Sequence, residues 1–156
     1  ELIKLTADEV KKKEHDVIYG DTDSIFVNPK TKDTQKAIDS GKEIETSLNK
    51  FFKNYVKKKY SRENILELEF EKIFTKFFMP SVRGESDVGA KKRYAGLKLV
   101  DFDKEPTKEN TTLDFTGLEF VRRDWTALAK EFQMKLLNLI FDEKDTTPFI
   151  KNFIAD

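Results

Sequence analysis

The chain has 156 residues, 38% apolar content and fourteen phenylalanines, which suits one domain or a compact piece of a larger one and excludes global disorder. It has no cysteine and a single histidine, His15, so a disulfide framework, a thiolate metal site and a His-rich zinc site are all excluded. Its 29 basic and 29 acidic residues cancel, unlike a uniformly basic nucleic-acid coat. With no apolar run of membrane-span length and a start, Glu-Leu-Ile-Lys, unlike a signal peptide, a soluble intracellular protein is expected.

In chain order, residues 15 to 19 and 24 to 28 read as two short strands joined by an acidic turn that begins at Gly20. Asn28-Pro29-Lys30 ends the second strand, because proline cannot donate to a sheet ladder. A helix is predicted from about Thr34 to Tyr60. Ala37, Ile38, Gly41, Ile44, Leu48, Phe51, Phe52, Tyr55 and Val56 recur there at three- and four-residue spacing. Asp33 or Thr34 is its N-cap, and Lys57 to Lys59 suit the negative end of the helix dipole, a solvated helix terminus.

Residues 65 to 71 alternate strictly, with Leu66, Leu68 and Phe70 on one side and Glu67, Glu69 and Glu71 on the other. This predicts a half-buried strand that runs on towards Met79. Pro80 and residues 81 to 90 form a loop. Lys92 to Val100 reads as a strand, Asp101 to Thr112 as a polar excursion, and the region around Leu113 to Phe120 as a short strand. From Asp124 the pattern turns helical, with Asp124 as cap, Trp125 in the core, and Leu128, Ala129, Phe132, Leu136, Leu139 and Ile140 on the same face. A last helix starts at Thr147-Pro148, with threonine as cap and proline in the first helical position. Strand pairs interleaved with long helices make an α+β chain.

The charges are unevenly spread. Lys11 to Lys13, Lys57 to Lys59 and Lys91 to Arg93 are basic runs, whereas Glu67, Glu69 and Glu71 form an acidic row. A neutral total can therefore contain a carboxylate-lined centre with basic margins, as an enzyme handling metal ions and a phosphate backbone needs. The acidic turn is the sharpest candidate. Asp21 and Asp23 stand two residues apart between strand-like runs, and hard divalent cations such as Mg²⁺ bind through one or two carboxylates plus substrate phosphates. An isolated Asp-x-Asp is more often a polar turn. The string Tyr19-Gly20-Asp21-Thr22-Asp23-Ser24 is far more specific.

That string resembles the carboxylate hairpin of family B DNA polymerases. Three further stretches extend the resemblance over nearly the whole chain, in the family's order: the glutamate row, Lys91-Lys92-Arg93-Tyr94-Ala95-Gly96, and Gly117-Leu118-Glu119-Phe120-Val121-Arg122-Arg123-Asp124-Trp125. Within the family, Leu66 to Met79 followed by Pro-Ser-Val-Arg-Gly and Gly-Ala-Lys-Lys-Arg-Tyr-Ala-Gly-Leu looks most like the bacterial DNA polymerase II group. The resemblance implies an antiparallel palm-type sheet backed by helices over residues 1–113. Residues 114–156 would then be helices from the base of the thumb.

It further implies two-metal nucleotidyl transfer with two Mg²⁺ ions, Asp23 as first metal ligand and Asp21 as second, both catalytic. Glu71, and less securely Glu69, is implied as an auxiliary acid, although a glutamate row is equally a solvated face. Tyr19, Gly20, Thr22 and Ser24 would shape the hairpin. Lys91, Lys92, Arg93 and Tyr94 would bind DNA, Lys92 in the primer-terminal minor groove at acceptors all base pairs share and Tyr94 on the primer backbone. Arg122 and Arg123 would contact phosphate or form ion pairs, beside a bland reading as a helix start.

The implied partners are primer-template DNA, deoxynucleoside triphosphates and the remainder of a polymerase chain, with a sliding clamp as a further candidate and no membrane. The implied location is cytoplasmic and nucleoid-associated. The family's other essential aspartate and its nucleotide-gripping helix have no match in this sequence, so a C-terminal palm and thumb-base fragment, inactive alone, is expected. The small subunit of a naturally split polymerase, a non-catalytic DNA-binding module, and a metal-binding or purely structural domain are the alternatives.

Overall fold

The computed structural model describes residues 2–82, 85–89, 92–118 and 123–155. The chain divides into two compact units, Glu1–Ile73 with Asp101–Pro106, and Phe74–Val100 with Thr107–Asp156. It is α+β, with helices and antiparallel sheets.

The first unit opens with helix α1 (Leu2–Lys12), which the sequence reading did not anticipate. Thr6 and Val10 are its buried positions, four apart and so on one face. The Thr6 hydroxyl donates to the Leu2 carbonyl (3.0 Å), which lets a polar side chain be buried. Strands β1 (Asp16–Asp21) and β2 (Ser24–Asn28) then form an antiparallel hairpin. Lys30 ties its base, donating to the Glu14 carbonyl (2.9 Å) and pairing with Asp16 (3.3 Å).

Helix α2 (Thr34–Tyr60) has the predicted limits. Of the two expected caps, Asp33 is the one used, and it accepts from the Lys36 N–H (3.0 Å). Ser61, at φ +53, closes the other end by donating to the Lys57 carbonyl (3.1 Å). Ala37, Ile38, Leu48 and Phe52 are buried, as the spacing predicted. Gly41 lies on this face for a steric reason: a Cβ there would come within 2.6 Å of the Phe70 ring.

Residues 61–73 correct the sequence reading. The segment carries no regular secondary structure and belongs to no sheet, and the strand begins only at Phe74. Its alternation survives in part: Leu68 and Phe70 are half-buried, while Glu67, Glu69 and Glu71 are exposed, as are Ile65 and Leu66. A side chain takes the place of a neighbouring strand. Asn49 on α2 donates Nδ2 to the Leu68 carbonyl (2.8 Å) and accepts the Leu68 N–H at Oδ1 (2.9 Å). One carboxamide thus satisfies both backbone groups of one residue. Phe70 meets Phe102 at 5.2 Å between centroids.

The second unit is built on a three-stranded antiparallel sheet in the order β3 (Phe74–Phe78), β6 (Tyr94–Leu99), β7 (Thr111–Thr116). Between β3 and β6, where a loop was expected, β4 (Ser81–Val82) and β5 (Glu85–Gly89) form a small hairpin of their own. The register places Phe78, Ala95 and Phe115 in one row and Leu97 beside Leu113 in the next. This inner face packs with Leu118 and with Leu137 and Phe141 of helix α3 (Ala127–Phe141). Lys76 pairs with Leu97 at the same rows but carries its ammonium to the C-terminal end of α3, where it donates to the Phe141 carbonyl and to Glu143 (2.7 Å). A cation there complements the helix dipole.

Thr126, rather than Asp124, caps α3 by accepting from the Ala129 N–H (3.2 Å). Trp125, expected in the core, is 43% exposed, and Leu128 and Ile140 are exposed as well. The predicted stripe meets helix α4 (Thr147–Ala155) at Phe132, whose ring contacts Phe149 (5.5 Å) and Phe153 (4.9 Å). The sheet takes a different stripe, Leu137 and Phe141. α4 starts one residue earlier in its capping than predicted. The Thr146 carbonyl accepts from Ile150, and Asp145 accepts from the Thr147 N–H (2.9 Å), so Pro148 is the second helical residue. Among the described residues no helix is long and apolar enough to cross a membrane.

Candidate metal centre and nucleic-acid interface

The acidic hairpin is shaped by one extra residue. Val17 pairs with Val27, but the next pair is Tyr19 with Phe26, so Ile18 is a bulge and is 51% exposed. The bulge resets the alternation. Tyr19 and Asp21 then share a face with their partners Phe26 and Ser24, and the Tyr19 and Phe26 rings meet at 5.6 Å. Gly20 and Ile25 lie on the other face, where a Cβ on Gly20 would meet Ile25 at 3.5 Å and Ile3 of α1 at 3.9 Å. Gly20 is therefore a strand residue, and the turn consists of Thr22 and Asp23 alone, between the paired Asp21 and Ser24.

Asp21 ends β1 half-buried, above the buried Tyr19, and accepts the Thr22 hydroxyl at 3.2 Å. Asp23 is exposed at the tip. Two acceptor-only groups two residues apart repel each other unless a cation lies near them. Their chemistry fits a hard divalent ion that takes one or two carboxylates and completes its shell with water and phosphate oxygens. Among the described residues, no group of three or more carboxylate or imidazole side chains is gathered as a self-sufficient metal cage would be. Glu71 is exposed in the irregular segment before β3 and lies 3.8 Å from the ammonium of its neighbour Lys72.

The lysine motif lies in the other unit. Lys91 and Arg122 fall outside the described residues, and Arg123 is exposed just before α3. Lys92 is exposed with φ +59, Arg93 is half-buried, and Tyr94 opens β6 opposite Thr116. Alternation puts Tyr94, Gly96 and Lys98 on the outer face of the sheet, opposite the Ala95 core row. The Tyr94 ring contacts Phe77 (5.5 Å) and Phe74 (6.2 Å). Phe74 lies directly over Gly96, where a Cβ would fall 2.4 Å from its ring. Tyr94 is thus oriented by packing, and the phenol is borne on a rigid sheet.

Sequence reading missed Lys98, a cation on the same face as Tyr94, and the role of Gly117. The signal for Lys98 was the two-residue alternation from Tyr94. Gly117 stands immediately after β7, and a Cβ there would lie 1.8 Å from the Lys92 carbonyl oxygen.

Comparison with known proteins gives a consistent result. The family model for DNA polymerase family B matches residues 2–156. DNA polymerase II of Escherichia coli (strain K12) is 36% identical over 155 residues, covering 99% of this chain and 19% of that protein. The DNA polymerase delta catalytic subunit of Candida albicans is 34% identical over 171 residues (100% of this chain, 14% of that protein). The DNA polymerase alpha catalytic subunit of Mus musculus is 28% identical over 155 residues (97% and 9%). The chain therefore spans less than a fifth of the length of these relatives.

Proposed function

Since the chain belongs to DNA polymerase family B, we propose that it supplies part of the catalytic palm and the base of the thumb of a DNA-directed DNA polymerase. The observation that carries the reading is the bulged hairpin presenting Asp21 and Asp23 at the end of a short, braced strand pair. Asp23 is the first metal ligand and Asp21 the second, with Thr22 orienting the Asp21 carboxylate and Tyr19 supporting it from below. A divalent cation held by these two carboxylates would supply charge neutralisation for the triphosphate and activation of the primer 3′-hydroxyl. That hydroxyl loses its proton and bonds to the α-phosphorus of the incoming nucleotide, and pyrophosphate leaves.

Lys92 and Tyr94 bind the primer-template duplex, the lysine in the minor groove and the tyrosine on the primer backbone. The minor groove presents acceptors common to all base pairs, so a lysine there tests pair shape without reading sequence. Glu71 is an auxiliary acid in this scheme. The complete centre needs a further aspartate that this sequence does not match, so the chain by itself incorporates no nucleotide.

The test is made in the intact polymerase. Asp23→Ala should abolish nucleotide incorporation in a primer-extension assay while leaving duplex affinity nearly unchanged. Turnover near that of the parent enzyme would remove Asp23 from the metal site.

A further inference from the structure

The β6–β7 ladder ends at the pair Tyr94–Thr116, but the two segments remain in contact beyond it. Gly117 has φ +61, and a Cβ placed on it would fall 1.8 Å from the Lys92 carbonyl oxygen and 3.0 Å from the carbonyl carbon. These are backbone atoms, with no side-chain rotation to relieve the clash. Gly117 therefore needs to be glycine twice over, for its left-handed backbone and for the close approach.

Lys92 is itself left-handed, at φ +59, a conformation that a lysine adopts only when its surroundings enforce it. Glu14, Ser61 and Glu143 share the positive φ, but each closes a helix, where such a residue ends the hydrogen-bond run. Lys30, at φ +56, has it in the turn after β2, where its N–H donates to Asn28 Oδ1 (2.9 Å). Lys92 closes no helix. It stands two residues before β6, and from Tyr94 onward that strand is anchored by pairing with β7 along its whole length. Anything that displaces the Gly117 crossing is therefore taken up on the Lys92 side.

We infer that Gly117 is a positioning residue for the lysine motif: by crossing against the Lys92 carbonyl it seats Lys92 in its left-handed conformation and sets the direction of its ammonium group. This rests on the proposal that Lys92 contacts primer-template DNA, and adds that the contact depends on a residue that carries no side chain.

A double-mutant cycle in the intact polymerase tests it, with primer-template affinity read by fluorescence anisotropy and the Tm of each variant recorded alongside. Gly117→Ala should weaken duplex binding on the order of tenfold. Lys92→Ala should weaken it by at least as much, and the double variant should bind no worse than Lys92→Ala alone, because the glycine acts through the lysine. Additive losses, or parent-like affinity of Gly117→Ala, would overturn the inference. If Lys92→Ala itself binds normally, the duplex role of Lys92 fails first, which separates the two claims. Should Gly117→Ala not melt cooperatively, Gly117→Asn takes its place, since asparagine accepts the backbone angle yet still brings a Cβ against Lys92.

Discussion

Asn49 is the side chain that stands in for a missing strand, and its removal has a calculable cost. Asn49→Ala deletes two hydrogen bonds to Leu68, at 2.8 and 2.9 Å. Each has a net worth of about 1 kcal/mol, and Leu68 is only half-buried, so water can re-solvate its freed N–H and C=O in part. Alanine in the middle of α2 recovers about 0.6 kcal/mol of helix propensity over asparagine. The net loss is therefore about 1.5 kcal/mol, close to a tenfold change in the folding equilibrium. Asn49→Asp should cost more, because it keeps the acceptor but sets a carboxylate oxygen against the Leu68 carbonyl in place of the donor. Urea denaturation gives the global loss, and hydrogen exchange at the Leu68 amide gives the local one. If Asn49→Ala keeps both stability and Leu68 protection, the carboxamide does not hold the segment and the reasoning fails.

Gly96→Ala should destabilise the sheet by about 1–3 kcal/mol, contrary to the usual gain from replacing a strand glycine. The new methyl would meet the Phe74 ring at 2.4 Å and the immobile Lys76 carbonyl at 2.9 Å, and a lower urea midpoint is the check. At the end of α3, hydrogen bonds from Lys144 (3.0 Å) and Lys108 (3.3 Å) hold the Asp142 carboxyl below its ordinary value of 3.8. A depressed folded-state pKa contributes stability above the unfolded value and loses it as pH falls through the folded one. Asp142→Asn should therefore flatten the acid limb of the stability curve below that ordinary value, by an amount that salt reduces. An acid limb identical in the two proteins would show that these exposed contacts contribute nothing.

Local chemistry was readable wherever neighbours in sequence decide it. The limits of α2 follow from Asp33, the apolar spacing and the lysine-rich end, all within one helix. The hairpin followed from two β-forming runs about an acidic turn, although the bulge at Ile18 moved Gly20 out of the turn and into the strand. The reading stumbled where partners lie far away in sequence. α3 is apolar on several sides, so periodicity could not choose between the stripe that meets the sheet, Leu137 and Phe141, and the stripe that meets α4 through Phe132. The glutamate segment alternates like a strand, but alternation reports which side is buried and not whether a ladder partner exists.

By itself, then, the sequence determined the family, the acidic turn and the limits of α2, because caps, turn residues and short motifs act over a few residues. Tertiary structure alone decided that Leu68 would be held by a side chain from α2 and that α3 would turn Leu137 and Phe141 to the sheet. It also decided that Gly117 would cross the Lys92 carbonyl. Each of these is a meeting of groups brought together only by folding, where steric fit and hydrogen-bond satisfaction select among faces that the sequence pattern leaves equivalent.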